Sequence, residues 1–258
     1  MRILLSNDDG VHAWGIEVLH KYLKQLGQVW VVAPLEEKST TGHSLTIHKP
    51  LRVNRLQNGF YGVSGSPADC VYVAIREVMK GMPDLVVSGI NRGGNLGQDI
   101  YYSGTVSAAR EACILGLPAI AISIDVNYKK RKEDREIHFE TAAKSLVKFI
   151  KQYSYKNIPK HTLLNLNVPD VPLKQIRGFA AVRQGFRYYS GDVIRRIDHR
   201  GRPYFWIGGQ YKGFHNQPGT DCRVVSDKYV SVTPLKLDCT NYEFLDELET
   251  GLSRRKSK

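Results

Sequence analysis

The chain opens on a short apolar run, Ile3-Leu4-Leu5, that reads as a strand buried on both faces and gives way at once to the polar stretch Ser6-Asn7-Asp8-Asp9-Gly10. Over residues 14–26, Ile16, Leu19, Leu23 and Leu26 recur on one helical face, and Gly27 supplies the stop. The alternation then repeats. Residues 29–33 form a second apolar run closed by Pro34, and runs at 85–87, 119–124 and 163–168 have the same character. Helical patterns stand between them. Ser66-Pro67-Ala68-Asp69 places a serine at the N-cap, a proline at the first helical position and an acid three residues after the cap. Val71, Ala74, Ile75 and Val78 give that helix its apolar face, and Gly81 and Pro83 end it. A helix entered through Ser103-Gly104-Thr105 packs through Ala108, Ala109 and Ala112 and stops at Gly116. Residues 138–152 align Phe139, Ala142, Ala143, Leu146, Val147 and Ile150. This succession predicts an α/β fold with a doubly wound, mostly parallel sheet.

Two regions depart from the pattern. Residues 45–63 alternate loosely, as short strands or a hairpin do. Beyond 170 the strands are short and aromatic: residues 193–197 and 203–207 flank His199-Arg200-Gly201-Arg202, a hairpin by its glycine turn. Such a hairpin has little core of its own and is expected to pack on another subunit. Residues 229–235 read as a late strand and 241–252 as a terminal helix. The expected organisation is one α/β domain over 1–258, with a core to about residue 170 and C-terminal elements from about 171 used in oligomerisation.

The candidate chemistry sits where strands end. Asp8 and Asp9 lie at the junction of the first strand and first helix, and open α/β sheets bind ligands beyond the carboxyl ends of their strands. Two adjacent carboxylates repel unless a cation lies between them, so the pair points to a metal site; the competing reading is that one acid caps the helix while Gly10 makes the turn. The polar loop after the second strand holds Ser39, either an ion ligand or a surface hydroxyl. After the third parallel strand the chain reads SGINRGGNLGQDIYYSGTVSAAREACILG, with five glycines between Gly89 and Gly104. Asn91 and Asn95 punctuate it with neutral amide oxygens. Ser103-Gly104-Thr105 then brings hydroxyls and free N–H groups to a helix N-terminus, as a phosphate site needs and as simple N-capping also needs.

Composition narrows the setting. No apolar run approaches the ~20 residues that span a bilayer, and no secretory leader pattern is present, so no membrane partner is expected. The four cysteines are far apart and include no Cys-x-x-Cys pair; Cys70 and Cys113 fall on apolar helical stretches as buried reduced thiols, which favours a cytoplasmic location. The net charge of +12 is uneven: residues 1–125 hold 11 Lys/Arg and 11 Asp/Glu, residues 126–258 hold 26 and 14. The run Lys129-Lys130-Arg131-Lys132 and the tail from Arg254 to Lys258 supply eight of these cations, a pattern more often solvated or steering than a dedicated nucleic-acid site.

With these stretches in view the chain resembles the survival protein E (SurE) family of metal-dependent 5′-nucleotidases. The resemblance rests on Ser6-Asn7-Asp8-Asp9-Gly10, Ala33-Pro34, Ser39 with Gly42-His43-Ser44, Gly65-Ser66-Pro67-Ala68-Asp69-Cys70, Ser88-Gly89-Ile90-Asn91-Arg92-Gly93, Asn95-Leu96-Gly97 and Tyr102-Ser103-Gly104-Thr105-Val106. It continues through Asn165-Leu166-Asn167-Val168-Pro169, Thr220-Asp221 and Ser231-Val232-Thr233-Pro234-Leu235, covering essentially the whole chain. It implies a Rossmann-like doubly wound fold and one divalent ion per subunit, Mg²⁺ or Mn²⁺, held by Asp8, Asp9, Ser39 and Asn91. It further implies a phosphate-contacting loop at Asn95 and Ser103-Gly104-Thr105. The activity implied is hydrolysis of nucleoside 5′-monophosphates, in some members also of 3′-nucleotides or short polyphosphate, by a metal-activated water, with Asp8 and Asp9 as the catalytic pair. Homodimers or homotetramers exchanging C-terminal elements are implied as well. Ser6 stands where threonine is usual and Gln98 where an acid is common, which removes a negative charge near the phosphate loop.

The chemistry agrees with that ligand set: two carboxylates, a hydroxyl and an amide oxygen suit a hard divalent cation and disfavour zinc. A nicotinamide-dependent enzyme would carry G-x-G-x-x-G where Asp8-Asp9-Gly10 stands. A phosphatase forming an aspartyl-phosphate would carry Asp-x-Asp, which is absent. The remaining alternative, ranked below the hydrolase, is a nucleic-acid-binding module using the basic C-terminal half. His12 and His43 lie near the site in sequence, and neither is singled out as a general base.

Overall fold

The computed structural model describes residues 1–126 and 133–254. The basic run at 129–132 and the tail beyond Arg254 lie outside the described residues. In chain order the elements are β1 (Arg2–Ser6), α1 (Trp14–Leu23), β2 (Gln28–Pro34), β3 (Val53–Arg55), β4 (Tyr61–Val63), α2 (Pro67–Val73), β5 (Leu85–Arg92), α3 (Gly104–Ile114) and β6 (Ala119–Asp125). There follow α4 (Phe139–Gln152), β7 (Thr162–Pro169), β8 (Phe179–Ala181), β9 (Arg187–Tyr189), β10 (Val193–Ile197), β11 (Pro203–Ile207), β12 (Tyr211–Phe214), α5 (Asp221–Ser226), β13 (Val230–Lys236) and α6 (Tyr242–Arg254).

A nine-stranded sheet runs in the order β3-β4-β2-β1-β5-β6-β7-β13-β8. The pairs from β4 through β7 are parallel, and antiparallel pairing is confined to β3 with β4 and β13 with β7. Strand alternation splits the core in two. Ile3 and Leu5 of β1, Val87 of β5 and Ile120, Ile122 and Ile124 of β6 face α1 and α4, meeting Ile16, Leu19, Phe139 and Leu146. Leu4, Val86, Ala119 and Ala121 face α2 and α3, where Val71, Val106, Ala109 and Ala112 wait. The sheet is therefore covered on both sides, as its apolar strands require.

Local signals explain most boundaries. Ser66 and Asp69 close a reciprocal capping box, with Asp69 N–H donating to Ser66 Oγ at 3.1 Å and Ser66 N–H to Asp69 Oδ2 at 2.7 Å. α2 nevertheless keeps α-helical geometry only to Val73, and the rest of the expected helix is a π-helical turn, Ala74–Val78. α1 stops at Leu23, three residues early, because the chain must turn to bring Gln28 N–H to the carbonyl of Met1 at 2.9 Å. The loose stretch 45–63 holds a hairpin only at its end, β3 and β4. β10 and β11 pair antiparallel from Val193 with Ile207 to Ile197 with Pro203, and all ten of their residues are exposed. β13 returns to the main sheet between β7 and β8.

α1 lies so close to β5 that a Cβ on Gly15 would stand 2.2 Å from the Ile90 carbonyl oxygen. Alanine is ordinarily about 1 kcal/mol better than glycine inside a helix. Gly15→Ala is predicted to reverse that sign and lose about 1–3 kcal/mol in urea unfolding. Gly251→Ala in α6, where no atom lies within 4 Å, is predicted to be neutral or stabilising in the same assay.

Candidate active site

From β1 the chain winds outward through β2 and β4, then crosses back to lay β5 on the other side of β1. The strand order therefore reverses between β1 and β5, and beyond the carboxyl ends at such a reversal is where open α/β sheets bind ligands. Asp8 and Asp9 leave β1 there, and Asn91 stands near the end of β5. The turn carrying the two acids is closed by Asn7 Nδ2–H donating to the Gly10 carbonyl at 2.8 Å. Gly10 has φ +100°, a conformation that side-chain-bearing residues rarely adopt.

Helix α3 points its N-terminus at this turn. A Cβ on Gly104 would lie 2.6 Å from Asp8 Cβ, so only glycine lets the helix come so near. The Thr105 hydroxyl donates to Asp8 Oδ1. Asp8 is thus a carboxylate seated at a helix N-terminus. Asp9 Oδ2 accepts the Arg92 N–H at 3.2 Å, which ties the second acid to the end of β5 beside Asn91.

Ser39 and Asn91 are linked to the acid pair through their neighbours, Lys38 and Arg92. Lys38 N–H donates to the Asp8 carbonyl at 2.8 Å, while the Ser39 hydroxyl itself donates to Glu37 Oε1 at 2.6 Å in an exposed loop. The register of β5 against β6 slips between Ser88 and Asn91, a bulge of the kind that re-aims a side chain. Asn91 Nδ2 donates to the Gly93 carbonyl at 2.7 Å, which leaves its amide oxygen as the opposite end.

The electrostatics of the acid pair follow from burial. Burial pushes the Asp8 carboxyl up, against the hydrogen bonds from Thr105, and Glu37 adds to the rise. Asp9 is pushed up to about 7, by burial first and then by the charge of Asp8. Each acid disfavours its own ionised form where it stands, and a cation between them would reverse that balance for both. Among the described residues no three His, Cys, Asp or Glu side chains are arranged to hold a metal. The expected set needs only two, completed by a hydroxyl and an amide oxygen, and this all-oxygen chemistry fits a hard divalent ion.

The loop from β5 to α3 rests on polar side chains of the next strands. Asn95 Nδ2 donates to Ser123 Oγ at 2.8 Å, its N–H to Asn167 Oδ1 at 2.8 Å, and its carbonyl accepts from Asn165 and Asn167. Ser103 caps α3 by accepting the Val106 N–H at 3.0 Å. The capping reading of Ser103 therefore holds. Sequence reasoning quoted Asn165 and Asn167 without giving them a task. Two asparagines at i and i+2 in an otherwise apolar buried strand were the available signal. It also missed Glu37 and the partner of His43: Nε2 of that ring lies 2.9 Å from Oε2 of buried Glu111, pinning the Ser39 loop to α3.

The pH consequence has a definite sign. Asp9 titrates near 7 in the fold and near the ordinary carboxylate value of 3.8 when unfolded. It costs the metal-free fold nothing below that ordinary value, and the cost grows as pH rises toward 7, where the folded protein must ionise it too. Asp9→Asn is therefore predicted to stabilise the metal-free protein at pH 8 and to have little effect at pH 4, read from paired urea titrations.

The chain is similar to several known proteins over nearly its whole length. A profile of the family described as survival protein SurE matches residues 3–191. The protein named 5′-nucleotidase SurE from Pelobacter propionicus is 46% identical over 250 residues, covering 97% of this chain and 99% of that one. Its namesake from Coxiella burnetii is 44% identical over 254 residues, 98% of this chain and 96% of that one. The crystal structure of the SurE protein from Aquifex aeolicus superposes with a TM-score of 0.84 at 44% identity, across 97% of this chain and 99% of that one. With the profile, the full-length relatives and the shared fold in agreement, this chain belongs to the SurE family.

Proposed function

We propose that the chain is a divalent-metal-dependent phosphomonoesterase that hydrolyses nucleoside 5′-monophosphates. The observation that carries this reading is the adjacency of Asp8 and Asp9 at the point where the strand order reverses, with the N-terminus of α3 against them. The relatives named 5′-nucleotidase SurE supply the substrate class.

The metal ligands proposed are Asp8, Asp9, Ser39 and Asn91, taking one Mg²⁺ or Mn²⁺ per subunit. A divalent ion held there supplies Lewis-acid polarisation of the phosphoryl group and a more acidic water. The chain's own residues do the rest. Asp8 and Asp9 hold negative charge on one side of the site, and one of them takes a proton from the attacking water and passes it to the nucleoside 5′-oxygen as the P–O bond to the leaving group breaks. Asn95, held by its neighbours on β6 and β7, and Ser103, Gly104 and Thr105 at the helix start frame the phosphate, with Thr105 also seating Asp8. The positive end of α3 opposes the charge that accumulates on the phosphoryl oxygens. The Ser39 hydroxyl, which donates its hydrogen to Glu37, keeps its oxygen lone pairs for the ion.

The assembly proposed is a homodimer or homotetramer built through β10, β11 and α6. Ile197, Phe205, Trp206 and Ile207 on the hairpin and Phe244, Leu248 and Leu252 on α6 are exposed apolar side chains that a second copy would cover. No helix among the described residues is long and apolar enough to cross a membrane. The free thiols of buried Cys70, Cys113 and Cys222 fit a reducing, cytoplasmic setting.

The test is phosphate release from a panel of nucleoside 5′- and 3′-monophosphates, metal-free, with Mg²⁺ and with Mn²⁺, beside Asp8→Asn. Metal-dependent release that favours 5′-monophosphates and disappears in Asp8→Asn is the expected result. Folded wild-type protein that releases no phosphate with any metal would overturn the reading.

A further inference from the structure

The β5–α3 loop carries Asn95 to Ser103, yet many of its anchors come from much later in the chain. Arg187, the first residue of β9, is largely buried with its side chain 13% exposed. Its Nη1 donates to Asp99 Oδ2 at 2.9 Å and to the Gly94 carbonyl at 3.2 Å, and its Nη2 to Asp125 Oδ1 at 3.1 Å. Its guanidinium lies 4.9 Å from the centre of the Tyr211 ring on β12, and Tyr189 donates its hydroxyl to Asp99. The main chain of Arg187 is read as well. Gln98 Oε1 accepts the Arg187 N–H at 2.8 Å while Gln98 Nε2 donates to the Arg187 carbonyl at 2.7 Å. A side-chain amide imitates a neighbouring strand here, and the pairing needs one donor and one acceptor. A carboxylate at this position would face the Arg187 carbonyl with no hydrogen to give.

These contacts converge on the residues flanking Asn95. The backbone at Gly94 passes so near Asp125 that a Cβ would stand 2.6 Å from Oδ1, so the carboxylate that Arg187 holds also sets where Gly94 runs. Asp221 adds a further anchor, accepting the Gly97 N–H at 3.0 Å and the Gly185 N–H at 2.8 Å. Stability alone is a weak reason for such a cluster, because buried ion pairs can often be replaced by apolar side chains without loss. Direction is what the cluster supplies: a planar guanidinium serves two carboxylates and a carbonyl at fixed angles.

We infer that Arg187 and Gln98 are positioning residues for the phosphate-facing loop, joining the root of the exposed β10–β11 arm to the segment that carries Asn95 and Ser103. The inference takes its catalytic meaning from the phosphomonoesterase reading. The seating of the loop is testable without it.

The experiment uses the full chain with Mn²⁺ and compares wild type with Gln98→Met, Arg187→Met and Arg187→Lys. It reads amide hydrogen exchange across residues 94–102, affinity for inorganic phosphate, and KM against kcat. Gln98→Met strands no buried charge and keeps the test open if Arg187→Met fails to fold. Faster exchange confined to the loop is expected, with β1 and α4 unchanged. Inorganic phosphate should bind about tenfold more weakly, and KM should rise more than kcat falls, with Arg187→Lys recovering part of each effect. Unchanged loop exchange in folded Gln98→Met would overturn the inference. So would acceleration spread through the whole sheet, or local loosening that leaves phosphate affinity intact. If wild type neither hydrolyses nucleotides nor binds phosphate, the phosphomonoesterase reading falls while the exchange data still judge how the loop is seated.

Discussion

Two adjacent carboxylates held at the end of a buried strand impose the constraint on which the site depends. Asp8 and Asp9 cannot diverge freely, because Asn7 and Gly10 close the turn beneath them. Asp8 cannot retreat into solvent, because Gly104 and Thr105 of α3 pack against it. Burial raises the cost of ionising both acids, and the charge of Asp8 raises it further for Asp9. Such a buried pair, placed where the strand order reverses, is an arrangement that positive charge would stabilise. The surrounding architecture serves that arrangement. Small residues let α3 approach the sheet, the bulge in β5 turns Asn91, and asparagines on β7 fasten the loop through Asn95.

Parts of this were legible in the sequence for reasons that can be named. β1, β5, β6 and β7 are buried on both faces, so they read as mainly apolar runs, interrupted in β7 by Asn165 and Asn167. α4 shows its stripe because one face alone is buried, and the Ser66–Asp69 box and the glycine between β10 and β11 are strong local signals. What was not legible depends on distant partners. Nothing in residues 230–236 says that β13 enters between β7 and β8, and nothing near Ala74 announces a π-helical turn.

The site divides in the same way. The stretch around Asp8 and Asp9 and the glycine-rich loop stood out because their composition is unusual for packing. Thr105 directed at Asp8, Ser39 engaged by Glu37 and His43 held by Glu111 are relations between segments 2 to 97 residues apart, which composition does not encode. The charge asymmetry misdirects in one respect. The excess cations lie in the second half of the chain, but Arg187, the largely buried cation tied to the β5–α3 loop, is neutralised by two carboxylates. A count of charges sees +12; the fold shows which of them are already answered.

The central claim is that the Asp8–Asp9 pair is built to hold a divalent cation. The most direct measurement is calorimetric titration of metal-free protein with Mn²⁺ at pH 7.5, alongside Asp8→Asn and Asp9→Asn shown to be folded. The account predicts about one ion bound per chain, with a rise in thermal stability on binding, and loss of both effects in each variant. Undiminished Mn²⁺ binding in either folded variant would contradict it.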